Sequence, residues 1–244
     1  MQIPSTQHLL SAWEAGRAEP HPVQRALTLL GVALPDVSQA TLAELSIGER
    51  DAYLLALRES MFGSCMNALV VCPQCGERLE LQVRAADLQV AQPTTSETLS
   101  LHTNEYEIVF RLPNSADLES LSDVSEIDSA RQKILERVIR QATRQGKAIA
   151  VASLPHTVVA ALEREMAAAD PQGEVLLDLS CQKCENRWQA LFDVVSFLWS
   201  ELDAWAIRLL REVHSLARAY GWREADILAM SPWRRQCYLE MLLG

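Results

Sequence analysis

Apolar side chains recur every three or four positions at both ends of the chain and every second position in two stretches between them. The first pattern marks amphipathic helices, the second half-buried strands. Ser5 caps a predicted first helix with Leu9, Leu10 and Trp13 on one face. His21-Pro22 opens a second, carrying Val23, Ala26, Leu27 and Leu30, with Gly31 as its stop. A third short helix is expected from Ser38 or Thr41 to Leu45. Ser46 and Glu49 have capping-box spacing, and the helix they open places Tyr53, Leu54, Leu57 and Met61 on one stripe before Gly63.

Beyond Gly63 the period shortens. Ala68–Val71 leads into Cys72, and Leu79, Leu81 and Val83 alternate with Glu80, Gln82 and Arg84, which reads as strand, knuckle, strand. Residues 88–97 read as a loop, and Leu99–His102 with Tyr106–Phe110 as a hairpin turning at Asn104. Ser115 is the expected cap of a short helix, and longer helices are expected over Ile127–Gln145 and Pro155–Ala169. Strand character returns at Val175–Leu179 and Trp188–Phe192, on either side of Cys181-Gln182-Lys183-Cys184. Last comes a long helix over Val194–Tyr220, with Leu198, Leu202, Trp205, Leu209, Val213, Leu216 and Tyr220 in one stripe and Gly221 as its stop. A short helix from Glu224 and a final one opened by Ser231-Pro232 follow.

These elements predict an α+β fold, mostly helical, with a split zinc ribbon and an inserted module of β-hairpin plus helices. The expected division is an N-terminal helical region over 1–63, ribbon halves over 64–87 and 174–193, the inserted module over 88–173 and a C-terminal helical region over 194–244.

Composition and charge narrow the function classes. The 244 residues are enough to bury a core. A formal net charge of -10 disfavours non-specific nucleic-acid binding. The N-terminus lacks a basic segment followed by an apolar one, and charged residues interrupt the most apolar stretch, Val194–Tyr220, so neither a signal peptide nor a bilayer span is expected. The expected location is cytoplasmic, or within a phage-tail-like particle. In reducing surroundings paired cysteines point to metal rather than disulfides.

Cys72, Cys75, Cys181 and Cys184 form two Cys-x-x-Cys pairs in matching contexts. Each follows an apolar strand, and each has an Arg three residues after its second Cys (Arg78, Arg187), then a large apolar residue and a second strand. Two such knuckles facing each other supply the four thiolates of one structural zinc ion. Pro73 and Gly76 suit such a turn, whereas Glu185 stands where the second knuckle calls for glycine. Closing the long loop between the pairs costs about 4 kcal/mol, against roughly 10–16 kcal/mol of apparent binding energy for structural zinc. The competing readings are separate metal sites between subunits, redox dithiols and a catalytic zinc. Redox dithiols favour a helix N-terminus, while both pairs here lead into strands. A catalytic zinc wants an open position and His or carboxylate ligands. Cys65 and Cys237 stand alone, and His8, His21, His102, His156 and His214 have no ligand or triad spacing.

The C-terminal segment concentrates aromatic and arginine side chains, the residue types that dominate interface hot spots. Trp222, Arg223, Trp233, Arg234 and Arg235 are the candidate partner-binding residues, the alternative being a helix pair folded onto the long helix.

Several segments together resemble a known family. They are Leu45-Ser46-Ile47-Gly48-Glu49-Arg50-Asp51 with Arg58 and Phe62-Gly63, Cys72-Pro73-Gln74-Cys75-Gly76, the Cys181 pair with Trp188, Tyr220-Gly221-Trp222-Arg223-Glu224-Ala225-Asp226-Ile227-Leu228 and Ser231-Pro232-Trp233-Arg234-Arg235. They are similar to baseplate hub and baseplate-assembly proteins of T4-like contractile phage tails and related injection systems. The resemblance carries no catalytic signature. It implies a non-enzymatic structural or chaperone-like role, with other baseplate or tail proteins as partners. The alternative from another class is a zinc-ribbon nucleic-acid-binding regulator, and a zinc enzyme is the third reading.

Overall fold

The computed structural model describes residues 4–19, 21–90, 98–103 and 105–243. The fold is α+β, predominantly helical, with three small antiparallel sheets among the described residues. It divides into two compact units, one of residues 36–194 and one of residues 1–35 with 195–244. The first 63 residues are thus shared between them.

In the discontinuous unit, Ser5 caps α1 (Thr6–Ala18), and α2 (Pro22–Ala33) follows. The Arg25 Nε donates to the carbonyls of Gly16 and Glu19 (3.1 Å each), which satisfies the C-terminal end of α1. Helix α2 runs through Gly31 rather than stopping there. Leu29, Leu30 and Ala33 are fully buried, and that packing outweighs the ~1 kcal/mol helix penalty of one glycine. Helix α9 (Val194–Tyr220) has the expected bounds. Its buried stripe is Leu198, Leu202, Ala206, Leu209, Val213 and Leu216, and Tyr220 is exposed. The Trp13 indole donates to Asp203 on α9 at 2.8 Å. Helices α10 (Glu224–Leu228) and α11 (Pro232–Leu243) complete the unit, with Ile227, Tyr238 and Leu239 packed against Val213 and Leu216.

The continuous unit starts with α3 (Gln39–Glu44), capped by Ser38, and α4 (Ile47–Phe62), opened by the Ser46–Glu49 capping box. Helix α4 buries Leu54, Leu55, Leu57 and Arg58, while Tyr53 faces outward. The Gly48 amide donates to the Asp170 carboxylate (2.8 Å) across 122 residues of chain. A Cβ at residue 48 would lie 1.9 Å from that carboxylate, so only glycine fits. Burial pushes the Asp170 carboxyl up by more than the Gly48 amide and Ser46 side chain bring it down. At the other end of α4, buried Arg58 donates to the carbonyls of Gly63 (2.5 Å) and Cys65 (2.9 Å), which fixes the start of β1.

Two hairpins follow from the period-two stretches, β1–β2 (Cys65–Val71, Arg78–Arg84) and β7–β8 (Leu176–Ser180, Arg187–Leu191). Between them lies a four-stranded sheet in the order β3-β4-β5-β6, made of Leu99–Thr103, Tyr106–Phe110, Ile139–Arg144 and Lys147–Ala148. Its core joins Ile108 and Phe110 to Leu135 and Val138 of α7 (Ile127–Val138) and to Val158, Val159 and Leu162 of α8 (His156–Ala169). The expected helix over 127–145 ends at Val138, and 139–144 is strand β5. The free edge of β4 offers unpaired backbone groups to this segment, and Ile139, Ala142 and Thr143 are buried against it. Sheet pairing therefore overrides helix periodicity there. The turn at Gln145-Gly146 has φ of 51° and 75°, the positive pair of a type I′ hairpin. The cap of α6 (Ser115–Glu119) is Asn114 rather than Ser115, in a capping box with Asp117. Helix α5 (Ala85–Leu88) occupies the start of the expected 88–97 loop; the rest of that loop beyond Val90, and the turn residue Asn104, lie outside the described residues.

Asp117 is fully buried and accepts from Arg111 (2.5 and 2.8 Å), Arg137 (2.7 Å) and the Asn114 amide (3.1 Å). Burial by itself raises its carboxyl, but these donors outweigh it and hold it below the usual range. Such a carboxylate stabilises the fold above its unfolded value, about 3.9, and the contribution disappears as pH falls through the folded-state value. Asp117→Asn is expected to cost about 2 kcal/mol, less than a fully buried pair would, because Arg111 and Arg137 keep part of their side chains in water. Urea unfolding followed from pH 7 to pH 3 should show that loss at pH 7 and a narrowing gap from wild type under acid.

Candidate metal centre

Both cysteine pairs lie in turns that the strands hold open at the same point. In the first knuckle the Cys72 amide donates to the Glu77 carbonyl (2.8 Å) and the Gly76 amide to the Cys72 carbonyl (3.0 Å). The second repeats this with Cys181 to Asn186 and Glu185 to Cys181, 2.9 Å each. The residue after each second cysteine is left-handed, Gly76 at φ 72° and Glu185 at φ 58°. The two turns therefore share one backbone path, and Glu185 adopts it against its own preference.

The knuckles bring all four sulfurs within 4.8 Å of one another. The shortest approaches cross between knuckles, 3.7 Å from Cys72 to Cys184 and 3.6 Å from Cys75 to Cys181. A disulfide needs about 2.05 Å, so these are thiols in contact. A tetrahedron of thiolates around a metal with bonds of about 2.3 Å has edges of about 3.8 Å, and the cross-knuckle distances fit it. Cys72 and Cys181 are buried, Cys184 half-buried and Cys75 exposed. Lys183 pairs with Glu77 at 2.6 Å across the two turns.

Electrostatics separates the thiols. Burial pushes Cys72 up, but the amides of Cys75 and Gln74 and the neighbouring thiols of Cys75 and Cys184 together bring it down to about 6. The Asn186 amide favours a thiolate at Cys184, yet burial and the three other sulfurs push that thiol up to about 12. Crowded sulfurs thus ionise one at the expense of another, and a cation among them removes that penalty. The four cysteines could hold a metal ion, and among the described residues no other cluster of His, Cys, Asp or Glu has such an arrangement.

The C-terminal candidates are spread over different surroundings. Trp222 is half-buried, stacked on Tyr220 (4.5 Å between centroids) and edge-on to Tyr238 (4.8 Å). Arg223 and Arg234 are exposed, and Arg234 lies over the Tyr238 ring at 5.8 Å. Trp233 is 77% exposed. Arg235 is only 3% exposed, donating to Glu212 (3.0 Å) and to the Met230 carbonyl (2.8 Å), so it belongs to the interior of its unit and not to a surface. Sequence reasoning missed Glu212, which holds Arg235 inward. The signal for Glu212 was its place on α9 beside the buried Val213.

A family model described as T4 bacteriophage base plate protein matches residues 28–199, well over half of the chain. The chain belongs to that family. The part matched to the T4 base plate family contains both knuckles and stops before α10 and α11. Membership supports a structural or assembly role in a phage baseplate, with other baseplate proteins as partners. No curated protein and no solved structure gives a significant match. Among the described residues, no helix is long and apolar enough to cross a membrane.

The knuckle conformations predict opposite effects at equivalent positions. Nothing lies within 4 Å of a Cβ at Gly76, so Gly76→Ala is expected to cost about 1 kcal/mol through φ alone. Glu185→Gly should be neutral or stabilising by up to about 1 kcal/mol. Chemical denaturation of the two variants, with metal content matched, measures both.

Proposed function

We propose that this T4 base plate family member is a non-enzymatic structural or assembly protein of a contractile, phage-tail-like baseplate, working through contacts with other baseplate proteins. One structural zinc ion, held by Cys72, Cys75, Cys181 and Cys184, closes a split zinc ribbon whose halves span 64–87 and 174–193. The module over 88–173 is then an insert between those halves, flanked by helical regions over 1–63 and 194–244. The protein works in the cytoplasm, where thiols stay reduced, before or during incorporation into the particle.

The observation that carries the role is the family match over residues 28–199. The zinc assignment is supported by four thiols within 4.8 Å of one another, two of whose separations (3.7 and 3.6 Å) match a tetrahedral edge, with no carboxylate or imidazole among them, a donor set typical of closed structural sites. A contact role is supported by large apolar side chains left exposed on both hairpins, Leu69 and Val71 on β1 and Leu176 and Leu191 on β7–β8. In the C-terminal region the surface contacts fall to Trp233, Arg234 and Arg223, with Trp222 supporting them from beneath.

Elemental analysis of protein purified without added metal is expected to give one zinc per chain, and Cys72→Ser or Cys181→Ser should abolish it. Chelation should lower Tm by more than about 10 °C, since each kcal/mol lost shifts a chain of this size by about 2–4 °C. Absence of metal from freshly purified reduced protein would remove the zinc assignment. Affinity purification after co-expression with baseplate proteins should capture them. Finding the chain in purified particles, or only in pre-assembly complexes, separates a component from an assembly factor.

A further inference from the structure

The four clustered thiols have a second chemistry available to them. Four cysteines can pair in three ways. The fold brings two pairs into contact at once, Cys75 with Cys181 at 3.6 Å and Cys72 with Cys184 at 3.7 Å. Both contacts belong to one connectivity, and both cross from one knuckle to the other. Shortening each to the ~2.05 Å of a disulfide asks its two sulfurs to close by only about 1.6 Å. Lys183 pairs with Glu77 across the turns at 2.6 Å, a contact between the knuckles that uses no sulfur. Cys75 is exposed and Cys184 half-buried, while their contacts Cys181 and Cys72 are buried. Each crossing pair thus sets an accessible sulfur, which meets an oxidant first, against a shielded one that resolves it.

We propose that a peroxide converts this centre from metal-held to disulfide-held, linking Cys75 to Cys181 and Cys72 to Cys184. This rests on the zinc reading of the same site and adds what oxidation does there. The Cys75 sulfur attacks the peroxide, whose O–O bond breaks to leave a sulfenic acid on Cys75 and a hydroxide. The Cys181 thiolate then attacks the Cys75 sulfur. The S–S bond forms, the S–O bond breaks and a second hydroxide leaves. Cys184 and Cys72 repeat the sequence with a second peroxide. In sum the four thiolates give up four electrons, and two peroxides take them with four protons to become four waters. Zinc, left without thiolates, departs as the divalent ion. The connectivity decides the consequence. Pairing within each knuckle would cut the tie between residues 72–75 and 181–184, whereas the crossing pairs keep it in covalent form. The centre therefore joins its two hairpins in reducing and in oxidising surroundings alike.

The test uses the full-length chain carrying Cys65→Ser and Cys237→Ser, so that neither lone cysteine can exchange into the products. Its zinc content is measured first, and the folded protein is then treated with hydrogen peroxide. A metallochromic dye should report one zinc released for every two peroxides consumed. Mass-spectrometric mapping of the linked peptides should give Cys75–Cys181 and Cys72–Cys184. The oxidised chain should melt above the reduced chain stripped by a chelator, because the crossing disulfides close the same long loop. Pairing within the knuckles, pairing of Cys72 with Cys181, oxidation to sulfinic acids without disulfides, or zinc retained throughout overturns the proposal. So does an oxidised chain that melts no higher than the stripped one. A chain purified without zinc that still forms the crossing disulfides ends the zinc reading and upholds the crossing connectivity. One that holds zinc but forms other pairs ends this proposal and leaves the zinc reading standing.

Discussion

Four cysteine sulfurs lie within 4.8 Å of one another although two come from residues 72–75 and two from residues 181–184. Thiolates at this separation repel one another, and a cation among them would replace that repulsion with attraction. The four cysteines could hold such an ion. An ion there would join two hairpins of two strands each, and isolated two-stranded hairpins are marginal in water.

The rest of the continuous unit is held by polar contacts between residues far apart in sequence. Asp170 meets the start of α4 at Gly48, Arg58 binds the end of that helix to β1, and Gln172 accepts from the Val90 amide at 2.7 Å and donates to the Leu88 carbonyl at 3.1 Å. Each of these polar groups has a defined partner, so each contact selects one arrangement rather than merely adding attraction. The α7–α8 core over the four-stranded sheet supplies the apolar burial.

The interior of the other unit is closed by the α9 stripe, by Trp13 on Asp203 and by Arg235 on Glu212. On the outside of α11, Trp233 and Met241 stay exposed, and Arg234 lies over the Tyr238 ring.

Much of this was legible in the chain itself. The bounds of α9, the capping box of α4, the hairpins and the equivalence of the two knuckles all follow from local rules, because caps, turns and side-chain periods act over a few residues. Even the left-handed position of the second knuckle was marked, by Glu185 standing where Gly76 stands in the first. Three matters needed the tertiary structure. Residues 139–144 became a strand because β4 had an open edge, which no local period reveals. Helix α2 passed through Gly31 because buried neighbours on both sides held it. Arg235, indistinguishable in sequence from Arg234, turned inward because Glu212, more than twenty residues away, waits on α9. Local sequence determined the caps, the turns and the equivalence of the two cysteine pairs, because these act over a few residues. Where an element gives way to a neighbour and which of two like charges turns inward were decided by contacts that only the folded chain brings close.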